Sequence, residues 1–315
     1  MVEVDMMGNT IHNWDMLERG YTMHHAISQD KQGNILATVS KTSAKIANGK
    51  DVRINDFIIR MDPEKGEILQ EWDLVNMLDS ARYGMTDYNL TADPYAQNAS
   101  NWAHNNGIVE WGNDYLATAR YQGIFKFNKA GGIEWIISPH GYWRDRYLKL
   151  LLNPLHADGT PITDPDVIAG TKNCDDFEWP WGCHTAVPLP NGHIFYFNNG
   201  YGRNFKLDFT DRKNVYTCGI EYEVDEVNRT VRQVWQYGKE RGTAYFTPAR
   251  SGVQYLEQTG NRLICPGMSN VLSNGNRGAR VTEVDPETQE IVFELELEDA
   301  IYQRVYRMSL YPDNQ

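Results

Sequence analysis

Four times along the chain, a Gly-Asn or Asn-Gly pair stands between two apolar, β-prone stretches, and each time a second hairpin of another kind follows. The pairs are Gly33-Asn34, Gly112-Asn113, Asn191-Gly192 and Gly260-Asn261, dipeptides that reach positive φ readily and so suit tight hairpins. The strands after them read Ile35-Leu36-Ala37-Thr38, Tyr115-Leu116-Ala117-Thr118, Ile194-Phe195-Tyr196-Phe197 and Leu263-Ile264-Cys265. The second hairpins run from Phe57 to Trp72, Gly123 to Trp135, Ile220 to Trp235 and Ala279 to Phe293. Two hairpins make four strands, and four strands per repeat is the pattern of a β-propeller blade. A sandwich rich in hairpins is the plainer competitor, but nothing in a sandwich calls for so regular a repeat. The expected fold is therefore all-β, with short helical turns only near Leu74–Arg82 and Tyr142–Leu152.

The repeat divides the chain as one propeller domain over residues 1–315. Blades are expected at 21–79, 100–140, 180–238 and 247–298. Residues 1–20 read as a partial blade, because Met1–Trp14 matches only the second hairpin of a unit. Residues 299–315 read as a closing segment, with Arg304–Tyr311 as a further strand completing a ring. The chain is then compatible with a piece of a longer protein.

Composition supports a large core. Hydrophobic residues make up 41% of the chain and aromatic residues 12%, including nine Trp and 18 Tyr, which excludes a disordered chain. A formal net charge of −12 repels a nucleic acid or an anionic lipid surface, so neither is expected as a partner. No run approaches the roughly 20 apolar residues of a membrane helix. The start, Met-Val-Glu-Val-Asp, lacks the basic and apolar regions of a signal peptide, which points to a cytoplasmic protein or to a processed or truncated exported one. Of four cysteines, Cys174 and Cys183 flank a short acidic, aromatic loop and could close it as a disulfide. Four reduced thiols are the equal alternative.

The chemistry is carried by histidines. His25, His104 and His184 each lie eight residues before a turn glycine (Gly33, Gly112, Gly192), at intervals of 79 and 80 residues. In a propeller that slot begins the innermost strand and faces the central channel. A single histidine is ordinarily structural, satisfied by backbone; recurrence in three equivalent slots favours function. Asn106, two residues past His104, faces the same side of an extended strand. His24 is expected to face away from His25 unless a bulge reverses it. At the end of the second strand, Arg120, Ser40 and Asn199 share a slot. Alone, Arg120 would read as a solvated surface arginine. Imidazoles, a guanidinium and amides on one axis suit a tetrahedral oxyanion. No carboxylate occupies the same slots, which makes a metal-bound water less attractive.

These segments resemble a known family, the bacterial arylsulfate sulfotransferases that use no nucleotide sulfate donor. The resemblance rests on Met23-His24-His25, Asn101-Trp102-Ala103-His104-Asn105-Asn106, Trp179-Pro180-Trp181-Gly182-Cys183-His184-Thr185-Ala186 and Val234–Gly242. It implies a six-bladed propeller preceded by a small β-rich domain, which together with the first hairpin of the first blade has no counterpart here. It further implies transfer of a sulfuryl group from a phenolic sulfate ester to a phenol by a ping-pong route, without cofactor or metal. His184 would become sulfurylated, while His25, His104, Asn106 and Arg120 bind sulfuryl oxygens or shuttle protons. A hydroxyl near Thr247–Ser251 would join them, with Thr247 and Ser251 equally placed. Well-studied members are periplasmic with a short-loop disulfide before the nucleophile; Cys174 and Cys183 are similar in place but not in spacing. A homodimer stays open.

Sulfuryl transfer, like phosphoryl transfer, passes through a loose in-line transition state with charge on peripheral oxygens. A neutral His184 would attack sulfur while His25 or His104 protonates the leaving phenolate. Arg120 would hold neighbouring imidazoles neutral. Tyr201, Phe246 or Tyr306 could hold aryl rings, though core packing is the simpler role for each. Two rivals stand beside this reading: a metalloenzyme with axial histidine ligands, and a non-catalytic binding scaffold.

Overall fold

The computed structural model describes residues 1–48, 51–82, 102–269 and 278–298, with side chains described outside 42–48 and 51–55. A small antiparallel hairpin, β1 (Val2–Val4) with β2 (Thr10–Asn13), precedes four meander sheets. The first blade is β3 (Thr22–Gln29), β4 (Ile35–Asn48), β5 (Asp51–Met61) and β6 (Ile68–Asp73). The second is β7 (Asn105–Trp111), β8 (Asp114–Ala119), β9 (Gly123–Phe127) and β10 (Ile133–Ile137). A short strand β11 (Asn153–Leu155) then lies parallel on the outer edge of the third blade, which is β12 (His184–Pro188), β13 (Ile194–Asn198), β14 (Cys218–Asp225) and β15 (Thr230–Tyr237). The fourth is β16 (Ser251–Tyr255), β17 (Arg262–Pro266), β18 (Ala279–Val284) and β19 (Ile291–Leu297). Helices are single turns: α1 (Leu74–Met77), α2 (Asp145–Leu148) and α3 (Pro165–Ala169). No helix among the described residues is long and apolar enough to cross a membrane.

The innermost strands touch in succession, β3 against β7, β7 against β12 and β12 against β16, which is the arrangement of propeller blades about an axis. The expectation of six blades is corrected: among the described residues four are found. The reason is the length of the repeat. Inserts between blades stretch the successive intervals between turn glycines to 79, 80 and 68 residues, so four units occupy Thr22 through Leu297. The expected closing strand at Arg304–Tyr311 lies outside the described residues.

Local chemistry explains why the repeat is so regular. The first turn of each blade places a glycine at positive φ: Gly33, Gly112, Gly192 and Gly260. In the second turn, an Asp or Asn side chain accepts a backbone N–H two residues on. The four are Asp62 (from Glu64, 2.9 Å), Asn128 (from Ala130, 3.1 Å), Asp225 (from Val227, 3.0 Å) and Asp285 (from Glu287, 2.8 Å). This local bond shapes the turn before any tertiary contact forms. Asp5 does the same for Met7 at 2.8 Å in the β1–β2 hairpin, so Met1–Trp14 is built like a second hairpin.

Tryptophans on the outer strands then join blade to blade. Trp72 Nε1 donates to Lys129 O (3.0 Å), Trp135 Nε1 to Glu226 Oε1 (2.8 Å) and Trp235 Nε1 to Pro286 O (3.0 Å), each time reaching the second turn of the following blade. The polar end of each indole is satisfied while its ring is packed. Between blades one and two the core holds Leu36, Ile58, Trp72, Tyr115 and Phe127; between two and three, Ile124, Trp135, Tyr196, Ile220 and Tyr222. Central strands such as β13 are buried on both faces, so they read as continuous apolar runs. Cys174 and Cys183 are free thiols, which corrects the disulfide alternative. Cys183 is buried among the interblade aromatics, while the Cys174 Sγ turns to Asp176 Oδ1 at 3.1 Å.

Candidate active site on the bulged inner strands

Each of the first three blades breaks its innermost ladder at the same end. The β3–β4 register shifts between Met23 and Ile27, β7–β8 between Asn105 and Gly107, and β12–β13 between His184 and Ala186. At these bulges His25, His104 and Thr185 take left-handed backbone conformations, with φ of 55°, 53° and 43°. Non-glycine residues held there cost on the order of 1–3 kcal/mol. A bulge interrupts the alternation of side chains and re-aims them, and here it gathers the histidines. Gly107 permits the strands to close up: a Cβ on it would lie 2.3 Å from Thr118 Oγ1 and 3.4 Å from the Thr185 backbone.

The three slot histidines do converge. His25 Nε2 lies 3.0 Å from His104 Nε2, and the His25 and His184 ring centroids are 6.1 Å apart. His25 is exposed, whereas His104 and His184 are buried. The His104 imidazole sits well below its usual pKa, first because burial penalises the cation and then because His25, Arg120, His184 and His24 would repel it. It is neutral at neutral pH.

The side chains around His184 fix its tautomer. Asn199 Nδ2 donates to Thr247 O at 2.8 Å, and a carbonyl can only accept. The Asn199 Oδ1 must therefore face His184 Nδ1, which it meets at 2.7 Å, beside Gly182 O at 3.2 Å. Both partners accept, so Nδ1 carries the proton and Nε2 carries the lone pair. Ser251 Oγ donates to the same Asn199 oxygen at 3.2 Å. Asn106 bonds Cys183 O at 2.8 Å and accepts from Thr118 Oγ1 at 2.7 Å, anchoring the residue before His184. Thr247 is different again: its hydroxyl donates to Ala249 O at 2.7 Å inside its own turn and accepts from Met268 N, just past β17, at 3.1 Å. Asn106, Asn199 and Ser251 thus hold His184 in place, and Thr247 holds Asn199.

Arg120 is buried, at 3% exposure, so it is no solvated surface side chain. Its backbone N–H donates to His104 O (3.0 Å), its Nη2 to Pro248 O (2.9 Å), and its guanidinium stacks 4.6 Å from the Tyr201 ring. It therefore joins blades two, three and four beside the histidines. A cleft opens next to it, with Tyr121, Trp181, Tyr201 and Phe205 among its walls. Phe246 instead packs against Phe209, ring centroids 5.7 Å apart, and Tyr306 lies outside the described residues.

His24, expected to face away unless a bulge reversed it, joins the site, and so does Asp56, which the sequence did not point to. The bulge in β3 turns His24 toward His25, Nδ1 to Nδ1 at 3.0 Å, and its Nε2 lies 3.4 Å from Asp56 Oδ1. The adjacent His24-His25 pair was a signal for the first. Asp56 enters from β5, a strand carrying no motif. Among the described residues, one set of three metal-ligand side chains falls within 4.8 Å: His156, Cys174 and Asp176, all half-buried. It belongs to the insert ahead of blade three. The slot histidines share their space with the Arg120 guanidinium, which is a poor neighbour for a divalent cation.

Comparison with known proteins shows the family. The family model Arylsulfotransferase (ASST) matches residues 1–307. The chain belongs to the arylsulfotransferase family. Among its relatives are two proteins named arylsulfate sulfotransferase AssT. One, from Escherichia coli O6:H1, is 28% identical over 99% of this chain and 57% of its own length. The other, from Lelliottia amnigena, is 29% identical over 99% of this chain and 57% of its own length. This arylsulfotransferase-family chain thus spans little more than half the length of those relatives. A solved structure of a putative 6-phosphogluconolactonase from Bacteroides uniformis overlaps 91% of this chain and 77% of its own, with a TM-score of 0.36 and 12% identity.

Proposed function

We propose that this chain transfers a sulfuryl group from a phenolic sulfate ester to a phenol through a sulfohistidine on His184, in two half-reactions. The observation that carries the proposal is the fixed tautomer of His184: an imidazole whose Nδ1–H is held by Asn199 Oδ1 and Gly182 O presents a lone pair at Nε2. In the first half-reaction Nε2 attacks sulfur, the S–O bond to the donor phenol breaks, and the departing phenolate takes a proton from the His25–His104 pair. In the second, an acceptor phenol gives its proton to that pair while its oxygen displaces the imidazole from sulfur. Arg120 and His104 stand where charge grows on the sulfuryl oxygens, and burial strengthens their hydrogen bonds. The aromatic cleft beside Arg120 supplies flat surfaces for the aryl groups. Periplasmic residence and a homodimer belong to the same proposal, on family resemblance alone.

Incubation with a nitrophenyl sulfate and phenol tests the reaction directly, since nitrophenolate is coloured and phenyl sulfate is separable. With donor alone, one sulfuryl group should be trapped on His184 and located by mass spectrometry. An adduct on a serine, a tyrosine or another histidine refutes the assignment.

A further inference from the structure

We infer that Asp56 and His24 form, with His25, a carboxylate–imidazole–imidazole chain that makes His25 Nε2 the base for the acceptor phenol. This rests on the sulfotransferase reading above and names residues that the reading does not use. Two links are 3.0 Å hydrogen bonds between imidazoles, and the third is a 3.4 Å ion-pair contact between His24 and Asp56. Asp56 is buried, and its Oδ2 accepts the Asn105 backbone N–H at 3.0 Å, which leaves Oδ1 turned to His24 Nε2 at 3.4 Å. That nitrogen is itself buried and has no hydrogen-bond partner among the described residues, so Asp56 is the group that can satisfy it. His24 Nδ1 then meets His25 Nδ1 at 3.0 Å, and His25 Nε2 meets His104 Nε2 at 3.0 Å.

The proton positions follow link by link. An ionised carboxylate only accepts, so His24 carries its proton on Nε2 and offers a lone pair at Nδ1. His25 must then donate from Nδ1, and its lone pair falls on Nε2. His104, neutral by burial, meets that lone pair with its Nε2–H. One carboxylate thereby sets three successive tautomers, the same logic by which a carboxylate orients a catalytic imidazole. It also supplies the anion that the histidine slots lack. In the second half-reaction the phenol O–H bond breaks and its proton passes to His25 Nε2. The phenol oxygen forms the O–S bond as the N–S bond at His184 breaks, and that electron pair returns to the His184 imidazole. The His25 imidazolium is balanced by Asp56 through His24. Asp56 and His24 touch no substrate; they are positioning residues.

The experiment compares Asp56→Asn and His24→Ala with the unsubstituted chain over a series of acceptor phenols of rising pKa. A phenol already ionised at the assay pH has little need of a base, and a weakly acidic one depends on it. We expect kcat to fall on the order of 100-fold for the weakest acids and progressively less for stronger ones, with KM little moved. Added imidazole should restore part of the loss in His24→Ala. Nitrogen-15 spectra should show His24 protonated on Nε2 in the unsubstituted chain and a mixture of tautomers in Asp56→Asn. Equal loss for every phenol, no rescue and unaltered tautomers would overturn this inference alone. Failure of the unsubstituted chain to transfer sulfate at all would instead remove the sulfotransferase reading, and this base assignment with it.

Discussion

Blade four is built like the other three and differs from them at one end. Its innermost pair, β16 with β17, keeps an unbroken register from Ser251–Pro266 to Tyr255–Arg262, and Gly252 stands eight residues before its turn glycine, where the others have histidine. Blades one to three bulge at that end, with a left-handed residue at or next to each slot histidine, whereas the left-handed Arg250 of blade four (φ 61°) precedes an unbroken ladder. A regular ladder is the low-energy form of such a pair, so the bulges are retained at a cost of order 1–3 kcal/mol each. The difference teaches that the fold does not require the bulge. It occurs where an imidazole must be turned out of the strand's alternation, and it is missing where there is none to turn.

If the bulged ends are the working part and blade four is a wall, substitutions should divide sharply between them. The largest effect belongs to the bulge of blade three. His184→Ala should lower kcat by on the order of 10^4-fold or more, the scale for a lost nucleophile, and the donor-alone adduct should vanish. Residual adduct elsewhere in the protein would break the comparison at once. Arg120→Lys comes next. The lysine keeps the charge but loses the planar fork that holds two oxygens, so kcat should fall on the order of 100-fold while KM changes less. Turnover at the original rate would mean that the guanidinium only ties the blades together through Pro248 O.

How much of this was legible in the sequence differs by kind of interaction. The blades were legible because their determinants are local: a glycine at positive φ, an Asx turn, a two-residue alternation. The histidine slots inherited that regularity, so a fixed eight-residue offset found three of them. The number of blades came instead from the family likeness and was wrong here. Asp56 was illegible for a physical reason. It reaches His24 through the β3–β4–β5 pairing, across a bulge that reverses the expected facing of His24. Asn106 and Ser251 were found as residues of the site, but their hydrogen bonds run to Cys183 O and Asn199 Oδ1, partners distant in sequence that only the packed blades bring together.

A smaller effect sharpens the boundary between site and wall. Asn199→Ala removes the 2.7 Å acceptor that fixes the His184 tautomer and leaves the weaker Gly182 O at 3.2 Å. About a tenfold to hundredfold fall in kcat is expected, the range for lost partners that orient a functional imidazole. Ser251→Ala, on blade four, removes only a 3.2 Å bond to Asn199 and should cost about threefold or less, one weak neutral hydrogen bond. Steady-state kinetics on the two variants side by side makes the check. A larger loss in Ser251→Ala than in Asn199→Ala would show that blade four takes part in the chemistry directly.

The smallest effect tests the strain itself, through stability instead of rate. His25 holds φ of 55° on an exposed position, so glycine there keeps the bulge without the Cβ clash and leaves no buried cavity. Relief of about 1–2 kcal/mol, less the roughly 0.5–1 kcal/mol of unfolded-chain entropy that any glycine adds, leaves a gain of about 1 kcal/mol. The lost imidazole contacts are partly solvated and offset less than that. His25→Gly should therefore raise the melting temperature by about 1–2 °C although it loses the proton-transfer partner. The blade-four slot is already glycine, Gly252, so the control is its neighbour on the ladder: Gln254→Gly in the unbroken β16 gains no relief and adds chain entropy to the unfolded state. It should destabilise by about 1 kcal/mol. Opposite signs for the same type of substitution, read by thermal unfolding, would locate the strain in the bulges. If both variants melt lower, the left-handed turn at His25 stores no strain, and blade four differs from the others only in lacking a histidine.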